Sequence, residues 1–527
     1  MSRRRTPLSS ETSDGRGVRR FSVYQDRCLV APSPELRLQI RNRLRVASRE
    51  LPLGRVTLEP QNRPGFNDGL IIPGREFPLG TPLEAVRKAA ARRAPLRGEV
   101  RVIVVLVDFE DAPMTRPADH FRDLFFSTGR IPTGSVREYF AEVSNNLIQL
   151  TGQVVGPYRL PRSLATYAGG QSGVDNPEPN ARTMARDAAL LANADVNYAP
   201  FDNDRNGFVD AFIVVHAGPG AEETASGGHI WSHKWVLAGD PFSADGTQIY
   251  AYLTVPEDCR IGVCAHEIGH LVFGWPDLYD TDESSEGLGN WCLMGGGSWN
   301  GRGDVPAHPS AWCKLGQEWV TVRNRTSTGS LTIEDVKTSH TIHRLWKDGA
   351  ESDEYFLVEY RRKNGYDREL PGEGLLIYHV DDTVESNDNE RHPLVKLMEA
   401  DNLAHLHNGS NRGDEGDPYP GRSANRAFDG RTSPGSLSYA GIDTCVSLTN
   451  ITVAGSTATA DVAVTCRQET VRRQARGPRP RQGQKKRSRA KKRGTMKKKP
   501  RPRAASARQA GDHRADRRKL GSRGRTR

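Results

Sequence analysis

The sequence predicts an α+β chain: a mixed sheet with a buried central helix, then an antiparallel β-sandwich, then a disordered basic tail. Three observations carry that reading. Before about residue 325, valine-rich apolar runs are interleaved with amphipathic helical stretches. After it, the apolar segments are short, β-branched or alternating, and punctuated by turns. From residue 467 onward there are 26 Lys and Arg against three acids and almost no large apolar side chains. That tail cannot bury a core. It carries a net +23, which leaves −12 on the rest of a chain whose total is +11. The 527 residues allow two or three domains. The boundaries read as 1–94, a propeptide-like or accessory segment; 95–325, a catalytic domain; 326–466, the sandwich; and 467–527, the tail.

The first ninety residues hold short helical pieces, Pro34–Ala47 and Thr81–Arg93, joined by Pro/Gly-rich links. The run after Arg3, Arg4 and Arg5 lacks the apolar core of a signal peptide. No stretch of the sequence is long enough to span a membrane. Export by another route, a start further upstream, or retention inside the cell all remain open. Arg101–Phe109 reads as a buried strand. Ser135 followed by Glu138 is a capping box that opens a helix running to Ser144. Ala211–His216 is strand-like. His229 and His233 flank Trp231, as oxyanion candidates or as ordinary histidines. In the second half, strands are predicted at Leu331–Val336, Thr341–Trp346, Tyr355–Arg361, Leu375–Val380, Val395–Glu399, Cys445–Ile451 and Thr457–Val464.

The chemistry concentrates at His266-Glu267-Ile268-Gly269-His270. Two histidines four apart on a helix share one face and can bind one metal ion. Glu267 lies one step round the helix, placed to reach a metal-activated water rather than the metal. Zinc lowers the pKa of such a water to about 7, and a carboxylate then takes its proton. Apolar Ile261, Val263, Ile268, Leu271 and Val272 suit a buried helix over Gly262–Phe273, which Gly274, Pro276 and Asp277 terminate. A glycine turn lets the chain fold back and offer a third ligand, with Asp277 the first candidate and Asp280 the second.

The pattern HEIGH…GWPDLYD followed by CLMGGGSWNG resembles the immune inhibitor A-like zinc metallopeptidases, a metzincin-type family. The resemblance extends over about residues 95–465. It implies a metzincin-like catalytic domain and a zinc-dependent endopeptidase acting on proteins or peptides. His266 and His270 would be ligands, Glu267 the general base, Asp277 the third ligand, and Met294 the methionine turn beneath the metal. One departure stands out: Phe273 intervenes before Gly274, which leaves Asp277 one position late. The competing class is a non-catalytic zinc-containing binding protein that docks on polyanions through its tail, where Lys485-Lys486-Arg487, Lys491-Lys492-Arg493 and Lys497-Lys498-Lys499 provide point charges without sequence reading. The sequence carries no signal for oligomeric state.

Asp202, Asp204, Asn206 and Asp210 occupy positions 1, 3, 5 and 9 of an EF-hand-like loop, with Gly207 at the bend and Phe208 offering a backbone carbonyl. Ile213 stands where the closing glutamate belongs. This reads as a truncated calcium loop, or as a polar turn. The loop Asn411–Gly421 is a second carboxylate-rich candidate. Seven cysteines allow three pairs, Cys259 with Cys264, Cys292 with Cys313 and Cys445 with Cys466. Pairing and the resemblance both favour an extracellular setting. Cys28 is left over: a thiol that could ligate the metal as a switch, or simply a buried cysteine.

Overall fold

A computed structural model describes residues 28–40, 42, 95–281, 283–384 and 386–466. The predicted helix Thr81–Arg93, the distal part of Pro34–Ala47 and the basic tail lie outside the described residues. The centre of the molecule is a six-stranded mixed sheet of β1 (Cys28–Leu29), β2 (Gly98–Asp108), β3 (Ile148–Arg159), β4 (Phe212–His216), β5 (His233–Val236) and β8 (Ala251–Pro256), in the order β1-β5-β8-β4-β2-β3. A two-stranded hairpin, β6 (Phe242–Ala244) with β7 (Thr247–Ile249), intervenes in the chain. β2 pairs in parallel with β3 and β4, and β4 with β8, whereas β5 runs antiparallel to both β8 and β1.

The period-2 alternation of β2 sorts its side chains onto two faces. Val100, Val102, Val104 and Leu106 join one core with helices α1 (Val136–Val143) and α3 (Ile261–Phe273). Ile103, Val105 and Val107 join the opposite core with the alanine-rich helix α2 (Ala181–Ala192). Both faces of the strand are therefore buried, which is why it reads as a continuous apolar run. The capping box is present: Ser135 Oγ accepts from the Glu138 N–H at 3.2 Å, and the Glu138 carboxylate accepts from the Ser135 N–H at 2.9 Å. α3 is apolar almost all round and buried along nearly its whole length, as a helix placed inside a core must be.

The second half holds a five-stranded sheet of β9 (Thr321–Arg325), β11 (Thr341–Leu345), β12 (Glu354–Arg361), β13 (Gly374–Asp381) and β14 (Val395–Leu397), and a three-stranded sheet of β10 (Gly329–Glu334), β15 (Ser447–Ala454) and β16 (Thr457–Ala463). The two sheets share a core built on Ile333, Phe356, Val358, Ile377, Leu448 and Val462. One pair departs from the all-antiparallel expectation: β9 runs parallel to β11, because the short helix Val336–Ser339 and β10 carry the chain across before it returns. The other face of β12 and β13, with Leu357, Leu376 and Tyr378, packs into the core that contains α3. Among the described residues no helix is long and apolar enough to cross a membrane.

Of the three cysteine pairs, Cys445–Cys466 is bonded. Cys259 and Cys264 are thiols 3.4 Å apart, and Cys292 and Cys313 are also free. Their bracketing positions in sequence bring the two pairs together as buried neighbours, without a bond.

A buried ion pair ties the two halves. Arg361 on β12 donates Nε–H to Asp367 Oδ2 at 2.9 Å and Nη1–H to the Trp291 carbonyl at 2.6 Å, and both charged side chains are fully enclosed. Burial alone would raise the Asp367 carboxyl, but the charges of Arg361, His308 and Lys337 and the Arg361 hydrogen bond together outweigh it and hold the group well below the usual carboxylate range. A depressed folded-state pKa contributes stability that is present above the unfolded value and lost as pH falls through the folded one. Replacing Asp367 with asparagine should therefore cost about 3–5 kcal/mol in urea unfolding at neutral pH. The difference from wild type should shrink as pH drops below about 4; an equal difference at pH 7 and pH 3 would contradict this reading.

Candidate metal centre

α3 brings His266 and His270 onto one face, their rings 4.6 Å apart at nearly right angles. Each ring is fixed by a backbone carbonyl. His266 Nδ1 donates to Leu293 O at 3.0 Å, and His270 Nδ1 donates to Trp275 O at 2.6 Å. A carbonyl can only accept, so the proton sits on Nδ1 and both Nε2 lone pairs are left bare. Those two Nε2 atoms face each other at 3.0 Å. The chain then ends the helix at Gly274, in the left-handed region with φ 67°, and its N–H closes on His270 O. This turn returns Asp277 so that its Oδ1 lies 3.1 Å from both Nε2 atoms. The residue added by Phe273 is absorbed at the helix end, where the Phe273 ring packs on Trp275 and Trp319.

Three acceptors therefore converge with no proton between them. Zinc binds nitrogen and oxygen at about 2.0–2.2 Å, which puts tetrahedral neighbours about 3.3 Å apart. The observed triangle is close to that spacing, and its charge and donor chemistry suit a divalent cation. Asp277 Oδ2 and both oxygens of Glu267 are buried without a hydrogen-bond partner, a further sign of a site built for something polar. Burial lowers His270, which favours the neutral ligand form. It would raise Asp277, but the imidazoles of His270 and His266 hold that carboxyl below its ordinary value. Glu267 is pushed well above the carboxylate range, first by burial and then by the Asp277 charge. All four side chains have zero exposure.

Asp280, the other candidate third ligand, does a different job. Its Oδ2 accepts from Ser284 Oγ at 3.0 Å and the Ser285 N–H at 2.9 Å, which ties the following loop. Met294 lies under α3: a Cβ added at Gly269 would meet its Sδ at 2.7 Å. The Met294 carbonyl accepts from the Leu278 N–H at 2.7 Å, one residue past Asp277. Cys28 is fully buried, and its Sγ, one donor atom of His270 and one of Asp277 all lie within 4.8 Å of one another. His233 lies within the sheet, its ring nitrogens 2.6 Å from Trp231 O and 2.8 Å from Tyr252 OH; His229 is 2.8 Å from Thr224 Oγ1.

Away from this centre, Asp202, Asp204 and Asp210 bring their carboxylates within 4.8 Å of one another. Asp202 also accepts from the N–H groups of Asn206 and Gly207 at 3.0 and 2.9 Å, and Asn206 Oδ1 accepts from the Phe208 N–H. Glu399 and Asp401 join Asp417 of the loop Asn411–Gly421 in a further carboxylate group. Sequence reasoning did not find the carbonyls of Leu293 and Trp275, since nothing in a residue's type marks its backbone as a tautomer-fixing acceptor.

Residues 97–324 match the family described as immune inhibitor A peptidase M6, catalytic domain. The chain is 32% identical over 284 residues to the pre-pro-metalloprotease PrtV of Vibrio cholerae serotype O1, which covers 42% of this chain and 30% of that protein. It is 33% identical over 200 residues to immune inhibitor A of Bacillus thuringiensis subsp. alesti, covering 32% and 29% respectively. The chain thus spans less than a third of the length of these curated relatives.

The geometry separates the two aspartates. Asp277→Ala should lose stoichiometric zinc after gel filtration, as measured by metal analysis. Asp280→Ala should keep it, with only a lower melting temperature. Zinc retention in the first variant together with loss in the second would reverse the assignment.

Proposed function

We propose, on the premise that residues 97–324 belong to the immune inhibitor A peptidase family, that this chain is a zinc-dependent endopeptidase acting on proteins. A metal at this centre is what a metallopeptidase family implies. Zinc is our choice, because two imidazoles and one carboxylate form the donor set of a three-ligand catalytic site that leaves a position open. The observation that carries the proposal is the convergence of His266 Nε2, His270 Nε2 and Asp277 Oδ1, with the Glu267 carboxylate beside them and otherwise unengaged.

When bound, zinc would acidify a water and polarise the scissile carbonyl. The chain's own residues do the rest. His266 and His270 stay neutral and oriented because Leu293 and Trp275 hold their Nδ1 protons. Glu267, free of other hydrogen bonds, takes the proton from the attacking water and delivers it to the leaving amine. Met294 and Gly269 let the floor approach α3 closely, which holds the two histidines in register with Asp277. β5 is paired on both sides, by β1 and β8, so an extended substrate would reach its edge only in place of β1.

Calcium at Asp202, Asp204, Asn206, Phe208 and Asp210 is a second proposal, supported by the three converging carboxylates. Its role would be structural, since the loop joins the helical turn Ala199–Phe201 to β4. An extracellular setting is supported by the Cys445–Cys466 bond. The alternative of a non-catalytic polyanion binder rests on the charge of residues 467–527. Salt-dependent heparin retention by the full chain but not by residues 1–466 would support a role for the tail alongside proteolysis.

Glu267→Ala should keep its zinc and lose about 10²–10⁴-fold in casein turnover. His266→Ala should lose both metal and activity. Casein digestion undiminished in Glu267→Ala would refute the mechanism. At this loop, calcium at about a hundredfold excess over its Kd should stabilise the wild type by about 2.7 kcal/mol, and Asp204→Ala should lose that contribution.

A further inference from the structure

A second set of oxygens gathers just past the end of β14. Glu399 and Asp401 follow that strand, and Asp417 comes from the loop Asn411–Gly421. One carboxylate oxygen of each lies within 4.8 Å of one oxygen of the other two. The two pieces of chain are joined here by the Ala400 N–H, which donates to Asp417 O at 2.8 Å. A fourth carboxylate flanks the group. A Cβ added at Gly416 would collide with Asp401 Oδ2 and meet Asp414 Oδ1 at 2.9 Å, so a glycine is needed for both oxygens to approach the backbone there.

Acidic side chains gather on many surfaces and hold nothing; Asp417 sets this group apart. It is fully enclosed. Its Oδ2 accepts from Trp291 Nε1–H at 2.8 Å and from the Asp414 N–H at 2.9 Å, whereas its Oδ1 is buried with no hydrogen-bond partner. A bare anionic oxygen in an interior is costly unless something polar meets it. Its neighbours are fixed by the backbone: Glu399 Oε2 accepts from the His405 N–H at 2.6 Å, and Asp401 Oδ1 from the Leu403 N–H at 3.0 Å. Burial first, and then the charges of Glu399 and Asp414, push the Asp417 carboxyl up to about 7. Glu399 is raised as well, by burial and by the Asp401 charge. Both shifts have the sign of anions crowded together.

The donors are all oxygen, which selects a hard cation rather than zinc. Oxygens bound to calcium at about 2.3–2.6 Å lie at most about 5 Å apart across the ion. A group whose oxygens are within 4.8 Å of one another therefore fits inside one coordination sphere. Asp401 is half-buried, which leaves an open side for entry of the ion and for waters that complete its shell.

We propose that Glu399, Asp401 and Asp417 bind a calcium ion, with Asp417 Oδ1 as its buried ligand, and that the ion fastens the loop Asn411–Gly421 to the end of β14. The site shares no residue with the Asp202 turn. It also has a consequence for the zinc centre. The fastened loop holds Trp291 through Asp417, accepts from the Asn290 N–H at Arg412 O at 2.8 Å, and donates from Arg412 Nη2–H to Gly296 O at 2.6 Å. These contacts bracket Leu293, whose carbonyl orients His266. Calcium thus braces from outside the segment that holds one histidine in place. That consequence rests on zinc at the centre, whereas calcium binding does not.

The test measures bound calcium by equilibrium dialysis of the full chain carrying Asp204→Ala, which disables the other candidate. That protein should bind one calcium, and calcium should slow tryptic cleavage after Arg412 and Arg422. Adding Asp417→Asn keeps an acceptor for Trp291 and removes the buried charge; it should weaken the remaining calcium about tenfold or more and abolish the protection. Asp401→Asn should do the same at a half-buried position that does not touch Trp291. Absence of bound calcium in Asp204→Ala would overturn the site, and a proton on Asp417 would then account for the crowding. Undiminished calcium in both the Asp417→Asn and Asp401→Asn proteins would overturn it too. Calcium lost as expected, with casein hydrolysis unchanged, would overturn the bracing of the zinc centre and leave the site standing. Dialysis reads calcium and not hydrolysis, so a chain without peptidase activity cannot imitate any of these binding results.

Discussion

Two imidazole lone pairs and a carboxylate are held about 3 Å apart inside an apolar interior, and everything else at this centre follows from that arrangement. Without a cation between them, three acceptors at that spacing repel, and the low dielectric around them makes the repulsion expensive. The fold keeps them together by fixing each ring from behind. Leu293 O and Trp275 O take the Nδ1 protons, so neither ring can turn its donor inward. One of these carbonyls comes from the methionine segment and the other from the helix-ending turn. The centre is therefore assembled from three consecutive pieces of chain.

The site was legible in sequence to the extent that its chemistry is local. His266, Glu267 and His270 declare themselves by spacing on one helix, and Gly274 announces the turn that follows. The choice between Asp277 and Asp280 was not legible, because both lie in the same short loop and spacing cannot say which faces the metal. In the structure Asp280 is engaged by one hydroxyl, of Ser284, and one backbone amide, of Ser285. Long-range partners were out of reach for the same reason. The sheet position of Cys28 depends on pairing across some two hundred residues, and composition carries no trace of register.

The fold followed the same division. Strands buried on both faces, such as β2, were visible as valine runs, and the Ser135 capping box marked α1. β3 was not found: its sequence, with Gly152, Gly156 and several exposed positions, has neither clean alternation nor a continuous apolar run. α2 was missed although it is as amphipathic as α1: its buried face is largely alanine, with Met184 its one large apolar side chain. The parallel pairing of β9 with β11 could not be read either, since strand direction depends on the connection rather than on residue type.

The Arg361 contact reaches across a boundary that alignment alone would draw. The match to the peptidase family ends at residue 324, yet the guanidinium that holds the carbonyl of Trp291, three residues before Met294, comes from β12. The matched segment thus borrows an anchor from the part of the chain beyond it. A fragment cut at residue 324 would leave the Trp291 carbonyl without the Arg361 guanidinium, so the matched segment and the folding unit have different ends.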